Sequence, residues 1–217
     1  MKINSAIKGL MLYSFHSASG NITFMLTISL LPACIFLVTG AFSFFVIFAG
    51  IALIAVPCSL IMSAHKDSTS KWNRFQLTMP VKRKDVIAAK YLSHLLLLLV
   101  GIGLVGIFTA ISIALHENLF FGIRQAGIDY FPVFIGIALL AGGLFYPLVY
   151  TVGENKEEAL SAVCIAGAGG IFVLISWILN MTNLTQNNIA LLCITITMVL
   201  LVCSYMTARN IYANKDM

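Results

Sequence analysis

Gly101-Ile-Gly-Leu-Val-Gly106 has the GxGxxG spacing that cradles a dinucleotide pyrophosphate when it follows a strand and opens a helix. Here it lies in the middle of a Leu-rich apolar run, where glycines have a different use: they let two membrane helices approach closely. Gly106 with Ala110, Ala138 with Gly142, and Ala162, Ala166 and Gly170 in series repeat small residues at the same helical interval. Other chemistry-bearing sets are missing from the sequence. There is no GxxxxGK[ST] phosphate-binding loop, no HExxH and no GxSxG. His16, His65, His94 and His116 stand far apart, mostly near the ends of apolar runs, and read as interfacial residues. Cys34, Cys58, Cys164, Cys193 and Cys203 all fall inside apolar runs without a CxxC pair, which makes them small buried hydrophobes and not zinc ligands. No set of polar residues converges at one depth. The chain therefore reads as no enzyme, with no cofactor or metal bound by its own residues.

The elements that carry these residues follow from composition. Of 217 residues, 60% are hydrophobic and 10% charged, against about 25% charged in a soluble domain. So few charges cannot cover the surface of a soluble protein of this size. Six apolar runs reach the length of about 20 residues that a bilayer demands: roughly 22–40, 44–63, 91–115, 131–152, 159–179 and 188–208. None contains Asp, Glu, Lys or Arg. Backbone groups in lipid must be satisfied within the segment, so the runs are helices, and alternating ten-residue barrel strands are not seen. The first run starts some 20 residues in and has no small-residue cleavage site after it, so it reads as a span and not as a signal peptide.

Charge sets the expected orientation. With both ends inside, Lys2, Lys8, Lys66, Lys71, Arg74, Lys82, Arg83, Lys84, Lys90, Lys156, Arg209 and Lys215 are cytoplasmic, and only Arg124 is outside. That is twelve of the 13 Lys and Arg residues on one side, a strong positive-inside bias. It accounts for the net charge of +5 with no need for nucleic acid as a partner. The expected fold class is all-α: a polytopic membrane protein with six transmembrane helices, N-in and C-in. A single transmembrane domain covers 1–217, divided into an interfacial helix at 1–20, spans one and two at 22–63, a cytoplasmic segment at 64–90, spans three to six at 91–208 and a tail at 209–217. In the first of these, Ile3, Ile7, Leu10, Met11 and Phe15 recur at helical spacing between polar residues, as in an amphipathic helix resting on membrane lipid.

The 64–90 segment is the largest cytoplasmic stretch. Trp72, Phe75 and Met79 fall on one face of a short helix flanked by Lys71 and Arg74, and Pro80 ends it. Such a stripe could rest on lipid headgroups or dock into a groove of another protein. Asp85 sits early in the following helix, where a carboxylate suits the positive end of the dipole. The second cytoplasmic loop, Gly153 to Glu158, supplies Glu154, Lys156 and Glu157 as further candidate site residues. Asn155 and Glu158 have capping-box spacing at the start of span five. Pro32, Pro57 and Pro147 lie inside spans one, two and four, each kinking its helix and freeing a carbonyl, either along a pathway or as a passive bend.

Ion-coupled transport needs ionisable residues at mid-depth, and these spans hold no Asp, Glu, Lys or Arg. Any transport must draw energy from outside the chain. Its pathway would be lined by weakly polar groups such as Ser29, Thr39, Ser59, Thr109, Ser112, Ser176, Thr195 and Thr197, which suits an amphipathic cargo better than an ion.

The stretch Trp72 to Tyr91 resembles the segment between spans two and three of ABC-2 type exporter permeases. Met79-Pro80-Val81, Arg83, Val86 and Lys90-Tyr91 match that family's pattern, whereas Lys82 replaces its usual serine. The Tyr150 to Lys156 stretch is similar to the family's span-four exit. In size the chain is most similar to permeases of the phenol-soluble modulin exporter, which carry amphipathic helical peptides. The larger permeases often have a re-entrant segment between spans five and six, and residues 180–187 leave no room for one. The resemblance implies a coupling helix near 68–79, with Trp72 and Phe75 seated in a groove of a separate ABC ATPase and Lys71 and Arg74 against its acidic rim. It implies that ATP and Mg are bound by that partner. It also implies a second permease chain packed through spans one and two and the span-five face, in a bacterial cytoplasmic membrane. Alternatives at this point are an ABC exporter of another cargo, such as an antibiotic, a lantibiotic or an ion, and a membrane immunity or sensor protein that transports nothing.

Overall fold

The computed structural model describes residues 5–70, 81–115, 120–152, 156–181 and 186–213. Among them every regular element is helical: α1 (Ser5–Thr39), α2 (Phe42–Gly50), a π-helical turn (Ile51–Ala55), α3 (Val56–Thr69), α4 (Arg83–Leu115), α5 (Phe120–Val152), α6 (Glu157–Asn180) and α7 (Gln186–Ala213). Six of the resulting helical rods are long and apolar enough to cross a membrane: Ala6–Thr39, Phe42–Ala64, Arg83–Leu115, Tyr130–Val152, Glu157–Asn180 and Asn187–Tyr212. Each expected span is present, and six crossings bring the start of α1 and the end of α7 to one end of the bundle. The second and fourth spans form the centre, 61% and 56% buried, whereas the first, fifth and sixth are 17% buried and lie outside them.

The 1–20 segment is helical from Ser5, as its spacing predicts, but it is not a separate element. One helix runs from Ser5 to Thr39, because nothing around Gly20 and Asn21 forces a break. Its apolar stripe also has a different partner from the one expected. Leu10 and Met11 are buried in the protein core, and Ile7 and Phe15 pack against it. Among the described residues, the stripe from Ile7 to Phe15 packs on the bundle. At the far end Gly40 closes the helix. Its φ of 63° lies in the left-handed region, its N–H reaches the Phe36 carbonyl at 2.8 Å, and the Ala41 N–H is taken by Thr39 Oγ1 at 3.2 Å. This is an αL cap, and it reverses the chain into α2.

Pro57 produces a specific distortion. Immediately before it, the helix widens into the π turn, and the Val56 N–H reaches back to the Ile51 carbonyl. The next donor in that register is the Pro57 nitrogen, which has no hydrogen, so the Ala52 carbonyl has no helical N–H to receive. Gly101 of α4 lies on that oxygen, so close that a Cβ there would overlap it. The near-match to a nucleotide motif is thus, at its first glycine, a backbone-to-backbone contact. Gly103 and Gly106 have nothing within 4 Å of an added Cβ, and they face away from the bundle. Gly136 and Gly142 of α5 make two further notches, filled by the Phe172 ring of α6 and the His94 imidazole of α4.

The two ends of the core differ in chemistry. Away from the termini, Phe36, Phe45 and Phe131 pack with ring centroids 5.2 and 6.0 Å apart, and Phe48 meets Phe108 at 5.2 Å. Toward the termini tyrosines predominate, with Phe145 packed on Tyr146. Tyr91, Tyr146, Tyr150, Tyr205 and Tyr212, five of the chain's seven, gather between α4, α5 and α7.

Candidate functional site

Most of the sequence-predicted site falls on Lys71, Trp72, Arg74, Phe75, Met79, Pro80 and Glu154, which lie outside the described residues. Three of its members are described, at the termini end of the bundle. Arg83 opens α4, with its neighbours Lys82 and Lys84 exposed and Asp85 buried in the first turn. The Asp85 backbone N–H donates to the Lys82 carbonyl at 2.8 Å. Arg83 Nη1 donates to the Tyr212 carbonyl at 3.3 Å, in the last turn of α7. A cation at the carbonyl end of a helix satisfies both a bare acceptor and the negative end of the dipole. One candidate coupling residue therefore ties the start of α4 to the end of the final helix. Lys156 is exposed and Glu157 is buried at the start of α6, where a carboxylate complements the helix N-terminus.

One turn and more into α4, a second set of groups appears that the sequence did not bring together. The Tyr91 hydroxyl hydrogen-bonds the Ser204 hydroxyl at 2.7 Å, and Ser204 in turn donates to the Gly143 carbonyl. These two short links join α4, α7 and α5. His94 is 1% exposed, and its Nε2 lies 2.9 Å from the Ala138 carbonyl of α5. A Cβ at Gly142 would stand 2.9 Å from that nitrogen, so the imidazole fits only because position 142 has no side chain. Tyr146 closes the pocket edge-on to the imidazole at 6.0 Å and against Tyr91 at 4.8 Å. The Lys90 ammonium lies 5.9 Å from the Tyr150 ring centroid, and the Tyr150 and Tyr212 rings meet at a tilt with centroids 4.9 Å apart.

Two expectations change as a result. His94 is not an interfacial residue: burial and its contact with the α5 backbone make it part of the helix packing. Polar residues do converge at one depth, namely Tyr91, His94, Tyr146 and Ser204, with Ser93 Oγ also buried. A periodicity signal was available. Tyr146 and Tyr150, and Leu201, Ser204, Tyr205, Ala208 and Tyr212, each mark one helix face near the same end of their spans. Most of the weakly polar residues named as a pathway lining spend their hydroxyl on their own helix. Ser29, Thr39, Ser59, Thr109, Thr195 and Thr197 each donate to a carbonyl three or four residues back in their own helix. Among the described residues no group of three His, Cys, Asp or Glu side chains could hold a metal.

The family model described as ABC-2 family transporter protein matches residues 9–213, nearly the whole chain. The chain belongs to the ABC-2 transporter family. No curated protein and no solved structure matches it. As an ABC-2 family member it is the multi-pass membrane component of a transporter, and the family implies an ABC ATPase as its partner in general. The six apolar helices fit that membrane component throughout.

Proposed function

We propose that this chain is the permease subunit of an ATP-driven exporter of amphipathic helical peptides, working as two permeases with two ATPases in a bacterial cytoplasmic membrane. The observation that carries the reading is the family match over residues 9–213 on six spans whose membrane-crossing runs hold no charge. Such spans have no ionisable group with which to couple transport to an ion gradient, so the energy comes from a partner. The termini face the cytoplasm, supported by the twelve-to-one distribution of Lys and Arg. That orientation presents the 64–90 segment to ATP. Trp72, Phe75 and Met79 then seat in a groove of the ATPase, with Lys71, Arg74 and Arg83 beside it, and the loop holding Glu154, Lys156 and Glu157 on the same face.

The peptide cargo is supported by the absence of charged mid-membrane groups and by the resemblance to phenol-soluble modulin exporter permeases. An amphipathic peptide would come from the cytoplasm or the inner leaflet, and closure of the ATPase pair would drive the two chains between access states. Spans one, two and five supply the contact between chains. In its favour, Ala162, Ala166 and Gly170 are exposed along α6, a spacing that allows close helix approach.

Co-expression with the neighbouring ATPase tests the reading first: separate purification of the two proteins sinks it. Given a complex, changing both Trp72 and Phe75 to Asp should leave ATP hydrolysis running without transport. Normal transport by that double variant removes the coupling-helix assignment. A panel of amphipathic peptides, lantibiotics and salts, read by ATPase stimulation, then identifies the cargo class.

A further inference from the structure

α4 packs between α1, α3 and the π turn on one side and α5 and α7 on the other, while α5 also meets α2, the π turn and α3 directly, and α6 lies against both α5 and α3. The surface between the two sides is not uniform. Away from the termini it is closed by carbon: the Phe45 ring on Phe131, and Phe134 over Gly50. On the termini side, α4 also reaches across by hydrogen bonds. Arg83 reaches the Tyr212 carbonyl, Tyr91 reaches Ser204 and through it Gly143, and His94 reaches the Ala138 carbonyl from inside the Gly142 notch.

Apolar contacts between membrane helices hold register weakly, because lipid tails are as apolar as the side chains they replace. Interhelical hydrogen bonds are individually modest in a membrane, but an imidazole keyed into a notch and bonds with fixed direction admit only one register. If α5 slides along α4, the ring must leave its notch and the Ala138 contact is lost. We propose that Arg83, Tyr91 and His94 are positioning residues that form a latch. It carries movement of the loop-side end of α4 into α5 and α7, and without it α4 and the α1 packed on it shift against those two helices. The latch itself rests on geometry. That the movement originates in an ATPase rests on the function proposed above.

Two native cysteines allow a test that needs neither ATPase nor cargo. Cys34 on α1 and Cys203 on α7 are exposed, one on each side of α4, whereas Cys58, Cys164 and Cys193 are buried. Nitroxides attached to this pair in detergent, followed by reconstitution as single chains in nanodiscs, report one distance across the seam. The wild type should give a single narrow distribution. His94→Leu combined with Ser204→Ala should add a second population. His94→Gln, whose side-chain amide keeps an N–H for the Ala138 carbonyl, should restore the single distance. A double variant superimposable on the wild type overturns the latch. Should the double variant fail to fold, Tyr91→Phe, smaller by one oxygen atom, serves for the same comparison.

In the complex, the double variant should raise the ATP consumed per dye-labelled amphipathic peptide exported by about fivefold, the size of a weak allosteric coupling, and His94→Gln should not. An unchanged ratio alongside a split distance distribution overturns the transmission role. Failure of an ATPase to co-purify removes the exporter reading, and the distance measurement still decides the latch.

Discussion

Replacing Gly101 with alanine puts a methyl group onto the Ala52 carbonyl oxygen, a backbone atom fixed by the π turn and unable to rotate away. Two terms oppose each other. Alanine is about 1 kcal/mol better than glycine inside a helix. Forcing a methylene into a packed interior costs about 1–3 kcal/mol, and a clash with backbone belongs at the upper end of that range. The net effect is a destabilisation of about 2 kcal/mol, or a fall in Tm of roughly 4–8 °C for a chain of this size. Gly103 and Gly106 lie on the same helix with open space beside them, so only the first term remains. Their alanine variants should keep the wild-type Tm or rise by about 2–4 °C. The assay is thermal unfolding of the purified protein in detergent, followed by size-exclusion fluorescence. The opposite signs make the test sharp. If Gly101→Ala matches the wild type, or if Gly103→Ala falls as far, the close contact with the proline-widened helix is wrong.

Gly142→Ala should cost about 1–3 kcal/mol, because the new methyl meets a His94 ring with no free space to move into, and His94→Ala in the same chain should recover most of the loss. Tyr91→Phe should lower stability by about 1 kcal/mol, while Ser204→Ala in the Tyr91→Phe background should add little beyond the lost Gly143 bond; a double-mutant cycle on thermal unfolding reads the coupling. Gly40→Ala should cost about 1–2 kcal/mol from its left-handed backbone alone, and Gly40→Asn should cost less. In detergent, a thiol reagent should modify Cys34 and Cys203 quickly and the other three cysteines only on unfolding, which peptide mass mapping would show.

The spans were legible because the bilayer imposes one constraint on length and polarity, and a run either meets it or does not. The prolines were legible as disturbances, but only the coordinates show that Pro57 yields a π turn and that Gly101 covers the carbonyl it strands. Register between helices is not written in either helix alone. Nothing in GxGxxG distinguishes Gly101, pressed on α2–α3, from Gly103 and Gly106, which face outward. The N-terminal stripe shows the same limit. Ile7, Leu10, Met11 and Phe15 declare an apolar face, and lipid or protein would satisfy that face equally well. The bundle takes it because α1 continues without a break alongside α3 and α4.

His94 shows why the polar seam escaped a reading by residue type. A lone histidine near the end of an apolar run has a cheap interfacial role, and only a glycine on another helix, 48 positions away in the chain numbering of His94 and Gly142, makes the buried role possible. The same logic explains the placement of Tyr91. A hydroxyl inside a membrane helix bundle favours an acceptor, and Ser204 provides one where α5 and α7 approach closely. Phenylalanine has no such need, and Phe36, Phe45 and Phe131 fill the opposite end of the core. The directional contacts are thereby concentrated at the end where α4 leaves the 64–90 segment. A force applied there meets hydrogen bonds before it meets the phenylalanine packing.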